Sequence, residues 1–207
     1  MTFVRILLVL LLPLGACVAQ AKQPTILVMG DSLSAGYGIQ LEQSWVTLLQ
    51  QELVKNAQAK VINASVSGET TGGGLTRLPT LLSTHKPEIV VIELGGNDGL
   101  RGQPLNILQN NLQSMITASE TAGAKILLIG MQIPTNYGPR YTKQFKEVYS
   151  TLAEKNKISL VPFLLEDVAL HSELIQRDGI HPTAEAQPIL LKNVLPTLLP
   201  IIASTSK

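Results

Sequence analysis

Five short apolar runs divide this chain, at Thr25–Met29, Lys60–Val66, Glu88–Leu94, Lys125–Gln132 and Ile158–Phe163. They are rich in Ile, Val and Leu and do not alternate with polar residues. That is the pattern of strands covered on both faces, as in a parallel sheet. Between them lie stretches of helical periodicity, at about Ser44–Asn56, Leu75–His85, Leu105–Thr121 and Arg140–Lys155, with a last one over Ala184–Leu199. Trp45, Leu48, Leu49 and Leu53 share one helix face, as do Ile107, Leu108, Leu112, Met115 and Ile116. Gly123 is placed as a helix stop. Parallel strands need crossover connections, and right-handed crossovers stack helices on both sides of the sheet. The expected fold is α/β: a three-layer α/β/α sandwich with a five-stranded parallel sheet, formed as one domain by residues 22–207. In open sheets of this kind ligands bind beyond the carboxyl ends of the strands. The loops that follow the strands are therefore where chemistry is sought.

The first residues follow another rule. Arg5 precedes Ile6-Leu-Leu-Val-Leu-Leu-Leu-Pro-Leu14 and then a small-residue exit, Gly15-Ala-Cys-Val-Ala-Gln-Ala21. A charged start, a short apolar run and small residues read as an export signal over residues 1–21. The apolar part is too short to span a bilayer as a mature helix. Two exits compete. Ala19-Gln-Ala21 is an A-x-A site with cleavage after Ala21, whereas Leu14-Gly-Ala-Cys17 is similar to a bacterial lipobox and would leave Cys17 as a lipidated terminus. Cys17 is the one cysteine of the chain, so no disulfide framework, thiol nucleophile or cysteine metal site is expected. The expected location is the periplasm, with lipid anchoring through Cys17 as the alternative.

The loops after the strands carry an unusual set of residues. Gly30-Asp-Ser-Leu-Ser34 follows the first strand, Ser67-Gly-Glu-Thr70 the second and Gly95-Gly-Asn-Asp98 the third. Asp178-Gly-Ile-His-Pro182 comes after the fifth. A serine hydroxyl is a poor nucleophile without an adjacent base. Ser32 alone reads equally well as a helix N-cap; His181 supplies the base that changes this reading. Asp178, three residues before His181 with Gly179 between, is at a spacing from which its carboxylate can reach Nδ1 and orient the ring. The backbone N–H groups of Ser32 and Gly68 and the side-chain amide of Asn97 are candidate donors to an oxyanion. Gly68 and Asn97 are each, in isolation, ordinary turn residues. Asp31 and Asp98 are read as acceptors that hold the loops. His85, at a helix end before Pro87, and His171, among solvated residues, are poorer bases.

Four blocks in this order resemble the SGNH (GDSL) hydrolase family, named for its serine, glycine, asparagine and histidine. The runs "GDSLSAGYG", "NASVSGETTGGGLTRLP", "ELGGNDGLRG", "NYGPRY", "DGIHP" and "AQP" carry the resemblance over most of the chain. It implies a flavodoxin-like SGNH hydrolase fold and a serine hydrolase that cleaves acyl esters and thioesters, with arylesterase, acyl thioesterase and lysophospholipase type activity. It also implies a Ser-His-Asp triad, an acyl-enzyme and no cofactor. The loop Arg101–Pro104 is shorter than the family pattern, and Gln103 stands in place of an aromatic. Leu100, Ile133, Pro134 and Tyr137 are candidate linings of an acyl groove.

Other readings are weaker. Thr71-Gly-Gly-Gly-Leu75 lacks the Gly-Lys-Ser/Thr ending of a phosphate loop, and no metal-ligand cluster is visible, so no metal is expected. A net charge of +1 with scattered Lys and Arg gives no nucleic-acid signal. Small-molecule acyl esters, thioesters or lysophospholipids are the expected partners of a monomer with no transmembrane span in its mature form. Two alternatives stand beside this one: a carbohydrate or peptidoglycan O-deacetylase of the same superfamily, and a non-catalytic lipid-binding protein. An aromatic content of 4% argues against sugar stacking.

Overall fold

The computed structural model describes residues 23–55 and 59–205. The export segment 1–21, its cleavage site after Ala21, the lipobox at 14–17 and Cys17 lie outside the described residues, as does Asn56. The chain runs β1 (Thr25–Gly30), α1 (Ser32–Ala35), α2 (Trp45–Lys55), β2 (Lys60–Asn63), α3 (Thr71–His85) and β3 (Ile89–Glu93). It continues through α4 (Gly96–Leu100), α5 (Leu105–Thr121), β4 (Lys125–Ile129), α6 (Pro139–Asn156), β5 (Ser159–Val161) and α7 (Gln187–Thr205). The five strands form one parallel sheet in the order β2-β1-β3-β4-β5. Helices α2 and α7 pack together on one face, and α3, α5 and α6 on the other, giving the three layers the alternation implied.

β1 and β3 form the centre. Ile26, Leu27, Val28 and Met29 are fully buried, and so is every residue from Ile89 to Glu93. Strands covered on both faces need no polar side, which is why their sequence is continuously apolar. Strand order reverses between β1 and β3, so the loops after them open side by side at the edge of the sheet.

Several boundaries differ from the sequence expectation. β2 ends at Asn63 rather than Val66, although Ala64 and Val66 still donate to the carbonyls of Val28 and Gly30. Val66 is 45% exposed, so its apolar character marked a loop and not a buried strand. β4 and β5 stop at Ile129 and Val161, short of Gln132 and Phe163; Pro162, which has no N–H, follows β5 directly. α3 begins at Thr71, before Leu75. The Thr70 hydroxyl caps it by accepting from the N–H of Gly73, and Gly74 lies so close to Leu94 that a side chain would not fit. α7 begins later than Ala184 and continues past Pro196 and Pro200 to Thr205. It is long and apolar enough, by length and composition, to cross a membrane. In this fold its stripe of Leu190, Val194, Leu198, Ile201 and Ile202 is buried, and the helix packs on α2, β4 and β5.

One polar residue joins the two ends of this layer. Gln187 is buried at the start of α7; its Oε1 accepts from the backbone N–H of Trp45 at 3.0 Å, and its Nε2 donates to the carbonyl of Thr183 at 3.1 Å. The amide thus satisfies an N–H at the start of α2, where no earlier turn supplies a carbonyl. Gln187→Leu keeps the bulk and removes both bonds. It is expected to lower unfolding free energy by about 1–3 kcal/mol, the cost of leaving a buried N–H unpaired. Chemical denaturation checks this, and an unchanged midpoint at equal slope would contradict it.

Candidate active site

The turn after β1 is fixed by an acid cluster. Asp31, only 2% exposed, caps α1: its Oδ1 accepts from the N–H of Leu33 at 3.0 Å. The N-cap is therefore Asp31, and Ser32 is the first residue of the helical turn, with its hydroxyl free for another partner. The register of β1 on β3 sets Gly30 opposite Glu93. Oε2 of Glu93 accepts from the hydroxyl of Ser34 at 2.6 Å and from the N–H of Asp31 at 3.3 Å. Its Oε1 is buried with no hydrogen-bond partner among the described residues. Burial, with Asp31 beside it, pushes the Glu93 carboxyl well above the usual carboxylate range. Burial also raises Asp31, to about 6, against the lowering pull of Leu33 N–H, His181 and Asn97.

Ser32 and the C-terminal loop meet across the crevice. Ser32 Oγ lies 2.8 Å from Nε2 of His181, and His181 Nδ1 lies 2.6 Å from Oδ2 of Asp178. Oδ1 of Asp178 accepts from the N–H groups of Ile180 at 2.9 Å and His181 at 3.0 Å. These bonds, the His181 N–H foremost, hold the Asp178 carboxyl down at about 2. An ionised carboxylate only accepts, so Nδ1 carries the proton and Nε2 of the neutral ring accepts from the serine hydroxyl. A hydroxyl, imidazole and carboxylate linked in this order can move a proton off the serine.

Two further loops close the other side. Asn97, in α4, donates from Nδ2 to Oδ2 of Asp31 at 3.0 Å, which fixes its amide beside the Ser32 turn. Gly68 has a positive φ of 79°, and nothing lies within 4 Å of where a Cβ would be, so its backbone faces open space. Neither the N–H of Gly68 nor that of Ser32 donates to another group among the described residues. The Gly68 loop is pinned at both ends. Arg77 of α3 donates to the Ala64 carbonyl at 2.8 Å and to Oε2 of Glu69 at 2.7 Å, and Arg101 donates to the Gly68 carbonyl at 3.2 Å. Asp98 ties α4 to the start of α3 by accepting from the N–H and hydroxyl of Thr71 at 2.9 and 2.5 Å. Asp31 and Asp98 thus hold loops, as their positions implied.

The remaining candidates are spread beside this group. Leu100 is half-buried at the end of α4, and its carbonyl accepts from the Tyr137 hydroxyl at 2.8 Å. Pro134 and Tyr137 are exposed. Ile133 is only 8% exposed and belongs to the hydrophobic core, where it backs Gly99 together with Phe145. It can lie beneath a groove but does not face solvent as a lining residue. His171 pairs with Glu173 at 3.3 Å on the surface, and His85 ends α3. An open recess of about 430 Å³ lies at the opposite end of the sheet, near Lys125, Asn156 and Ser204; it holds no comparable chain of groups.

Residues 28–188 match the GDSL-like Lipase/Acylhydrolase family. The chain belongs to that family. It is 53% identical over 184 residues to Esterase TesA of Pseudomonas aeruginosa, covering 88% of this chain and 92% of that one. It is 40% identical over 182 residues to Thioesterase 1/protease 1/lysophospholipase L1 of Escherichia coli, covering 88% and 86%. The crystal structure of the psychrotrophic esterase EstA from Pseudoalteromonas sp., inhibited by monoethylphosphonate, superimposes with a TM-score of 0.83 at 42% identity, covering 86% and 98%. The fold is that of these hydrolases, and the chain is an ester and thioester hydrolase.

Sequence reasoning passed over Glu93, Gln176, Tyr37 and Arg77. Glu93 had a signal: a carboxylate inside the apolar run Ile89–Leu94 of a strand covered on both faces. The two raised carboxyls give a pH dependence of stability. A carboxyl whose pKa rises on folding favours the fold most below its unfolded value, and that stability is lost as pH rises through the folded value. The thermal midpoint is expected to fall as pH rises from about 4 through about 6, where Asp31 ionises, and to go on falling as Glu93 ionises above the usual carboxylate range; Glu93→Gln is expected to shrink the drop. An equal drop in the variant would show that Glu93 does not titrate there.

Proposed function

We propose that this chain hydrolyses acyl esters and thioesters through an acyl-enzyme on Ser32. The observation that carries the reading is the hydrogen-bonded chain from Ser32 Oγ through His181 to Asp178, in a member of a family of acyl hydrolases. Oγ attacks the acyl carbon while its proton passes to Nε2 of His181. The imidazolium gives that proton to the departing alkoxide or thiolate, which leaves an ester on Ser32. Water then adds to the acyl carbon and loses a proton to Nε2; the proton returns to Oγ as the carboxylic acid departs. Asp178 stays ionised throughout and keeps the ring in the tautomer that accepts at Nε2.

The oxyanion formed at each stage is assigned to the N–H groups of Ser32 and Gly68 and to Asn97. An amide has two N–H bonds; the one given to Asp31 orients the group, and the other remains for substrate. Such donors count most because they are already in place when charge develops. Leu100, Pro134 and Tyr137, with Ile133 beneath, are assigned to receive the acyl chain. The tie between Tyr137 and Leu100 gives that side a fixed wall. The substrates are small-molecule esters, thioesters or lysophospholipids, the chain works as a monomer, and neither cofactor nor metal is assigned. Residues 1–21 fit an export signal, which supports a periplasmic enzyme, free or anchored through Cys17.

Steady-state hydrolysis of p-nitrophenyl esters and acyl thioesters tests the assignment. Ser32→Ala is expected to abolish turnover in a folded protein. Asn97→Ala is expected to lower kcat by about 10²–10³-fold with little change in KM, since its amide acts mainly in the transition state. Retained turnover in Ser32→Ala would overturn the nucleophile, and an unchanged kcat in Asn97→Ala would remove that residue from the oxyanion hole.

A further inference from the structure

The hairpin that carries His181 is internally rigid. Ile175 and Pro182 form an antiparallel bridge. Gln176 N–H donates to the His181 carbonyl at 2.7 Å, Gly179 N–H to the Gln176 carbonyl at 2.9 Å, and Thr183 N–H to the Leu174 carbonyl at 2.8 Å. Asp178 and His181 are therefore fixed to one another by their own loop. Nothing within that loop fixes the distance from His181 to Ser32, which sits 149 residues earlier in the chain.

The side chain of Gln176 supplies the missing tie. Its Nε2 donates to the Pro182 carbonyl at 2.9 Å and to the Tyr37 carbonyl at 2.9 Å. A primary amide has two N–H donors, and both are spent. One bond reaches the residue after His181; the other reaches the segment that leaves the Ser32 turn. The approach is built for this side chain. Gly38 has a φ of +75°, and a Cβ there would collide with the Gln176 amide. The same bond holds the Tyr37 backbone where its ring tilts over the His181 ring, with centroids 4.4 Å apart and planes at 38°. The buried Gln187 ties the base of the hairpin to α2 but touches neither turn.

We propose that Gln176 is a positioning residue for hydrolysis: its amide locks the hairpin of His181 to the turn of Ser32, sets the Oγ–Nε2 approach and seats Tyr37 over the imidazole. The inference rests on Ser32 and His181 being nucleophile and base. Losing the amide leaves every reacting group present but lets the two halves of the site drift. An error of about 1 Å between reacting groups can cost of order 10² in rate. The loss falls on kcat, because substrate contacts are unchanged.

The test is kinetic, with a p-nitrophenyl ester and purified full-length mature protein. Gln176→Met keeps length and bulk and removes the donors. It is expected to lower kcat by roughly tenfold or more, with KM within about twofold and the thermal midpoint nearly unchanged. Gln176→Asn keeps the amide on a shorter stem and is expected to be impaired as well. Gly38→Ala displaces the same amide, so its loss of kcat and that of Gln176→Met are expected not to add in the double variant. Ser32→Ala is measured alongside. If Ser32→Ala is inactive while Gln176→Met matches wild type in kcat, the positioning role is overturned and the nucleophile stands. If Ser32→Ala stays active, the nucleophile is wrong and the Gln176 role falls with it. A loss in Gln176→Met that appears only as raised KM, or that tracks a lowered thermal midpoint, also overturns the inference.

Discussion

The site depends on the parallel pairing of β1 with β3. That pairing sets Gly30 against Glu93 and opens the two following loops side by side at the point where strand order reverses. Beyond the Asp31 cap within it, the Ser32 turn is steadied from neighbouring strands and the loops that leave them. Asn63, ending β2, donates to the Ser34 carbonyl at 2.8 Å. Glu93, ending β3, receives the Ser34 hydroxyl. Asn97, just beyond, reaches Asp31. The turn is held from both sides by groups whose positions are set by sheet register, so Ser32 needs no stabilising contact of its own. Its hydroxyl is left for His181.

This arrangement places unfavourable charge where it can be useful. Two carboxyls buried beside the Ser32 turn are costly when ionised, and the fold offsets part of that cost with hydrogen bonds and by favouring protonation of Glu93. Asp178 is the opposite case: half-exposed and given two N–H groups and an imidazole, it stays charged. The environments of the acids push their proton affinities apart. The carboxylate that faces the histidine is the one kept ionised, and the buried pair serves as scaffold.

Much of this was legible in the residues because the same physics wrote both. Strands covered on both faces must be apolar throughout, so β1 and β3 announced themselves, and the loops after them followed. Ser32, Asp178 and His181 were readable as candidates because Asp178 stands three residues before His181 with Gly179 between, and His181 supplies a base for a serine just past a strand. The misplaced boundaries have local causes. The glycines at 72–74 argue against helix by propensity, yet α3 needs Gly74 for its close approach to Leu94, a demand no local window contains. The last helix was expected over Ala184–Leu199 with Pro196 inside it, and the apolar stripe from Leu190 to Ile202 carries α7 past Pro200 as well, to Thr205. Gln176 was illegible for a different reason. Its meaning lies in a contact with a carbonyl 139 residues away, and an isolated glutamine in a loop has no pattern that foretells one.

The central claim is that Ser32 is an activated nucleophile, made so by His181. Intact mass of the mature protein after exposure to a fluorophosphonate, followed by peptide mapping, tests it most directly. One adduct per chain on Ser32, absent when His181 is replaced by Ala, is the expected result. No adduct on a demonstrably folded protein, an adduct elsewhere, or labelling of Ser32 undiminished without His181 would contradict it.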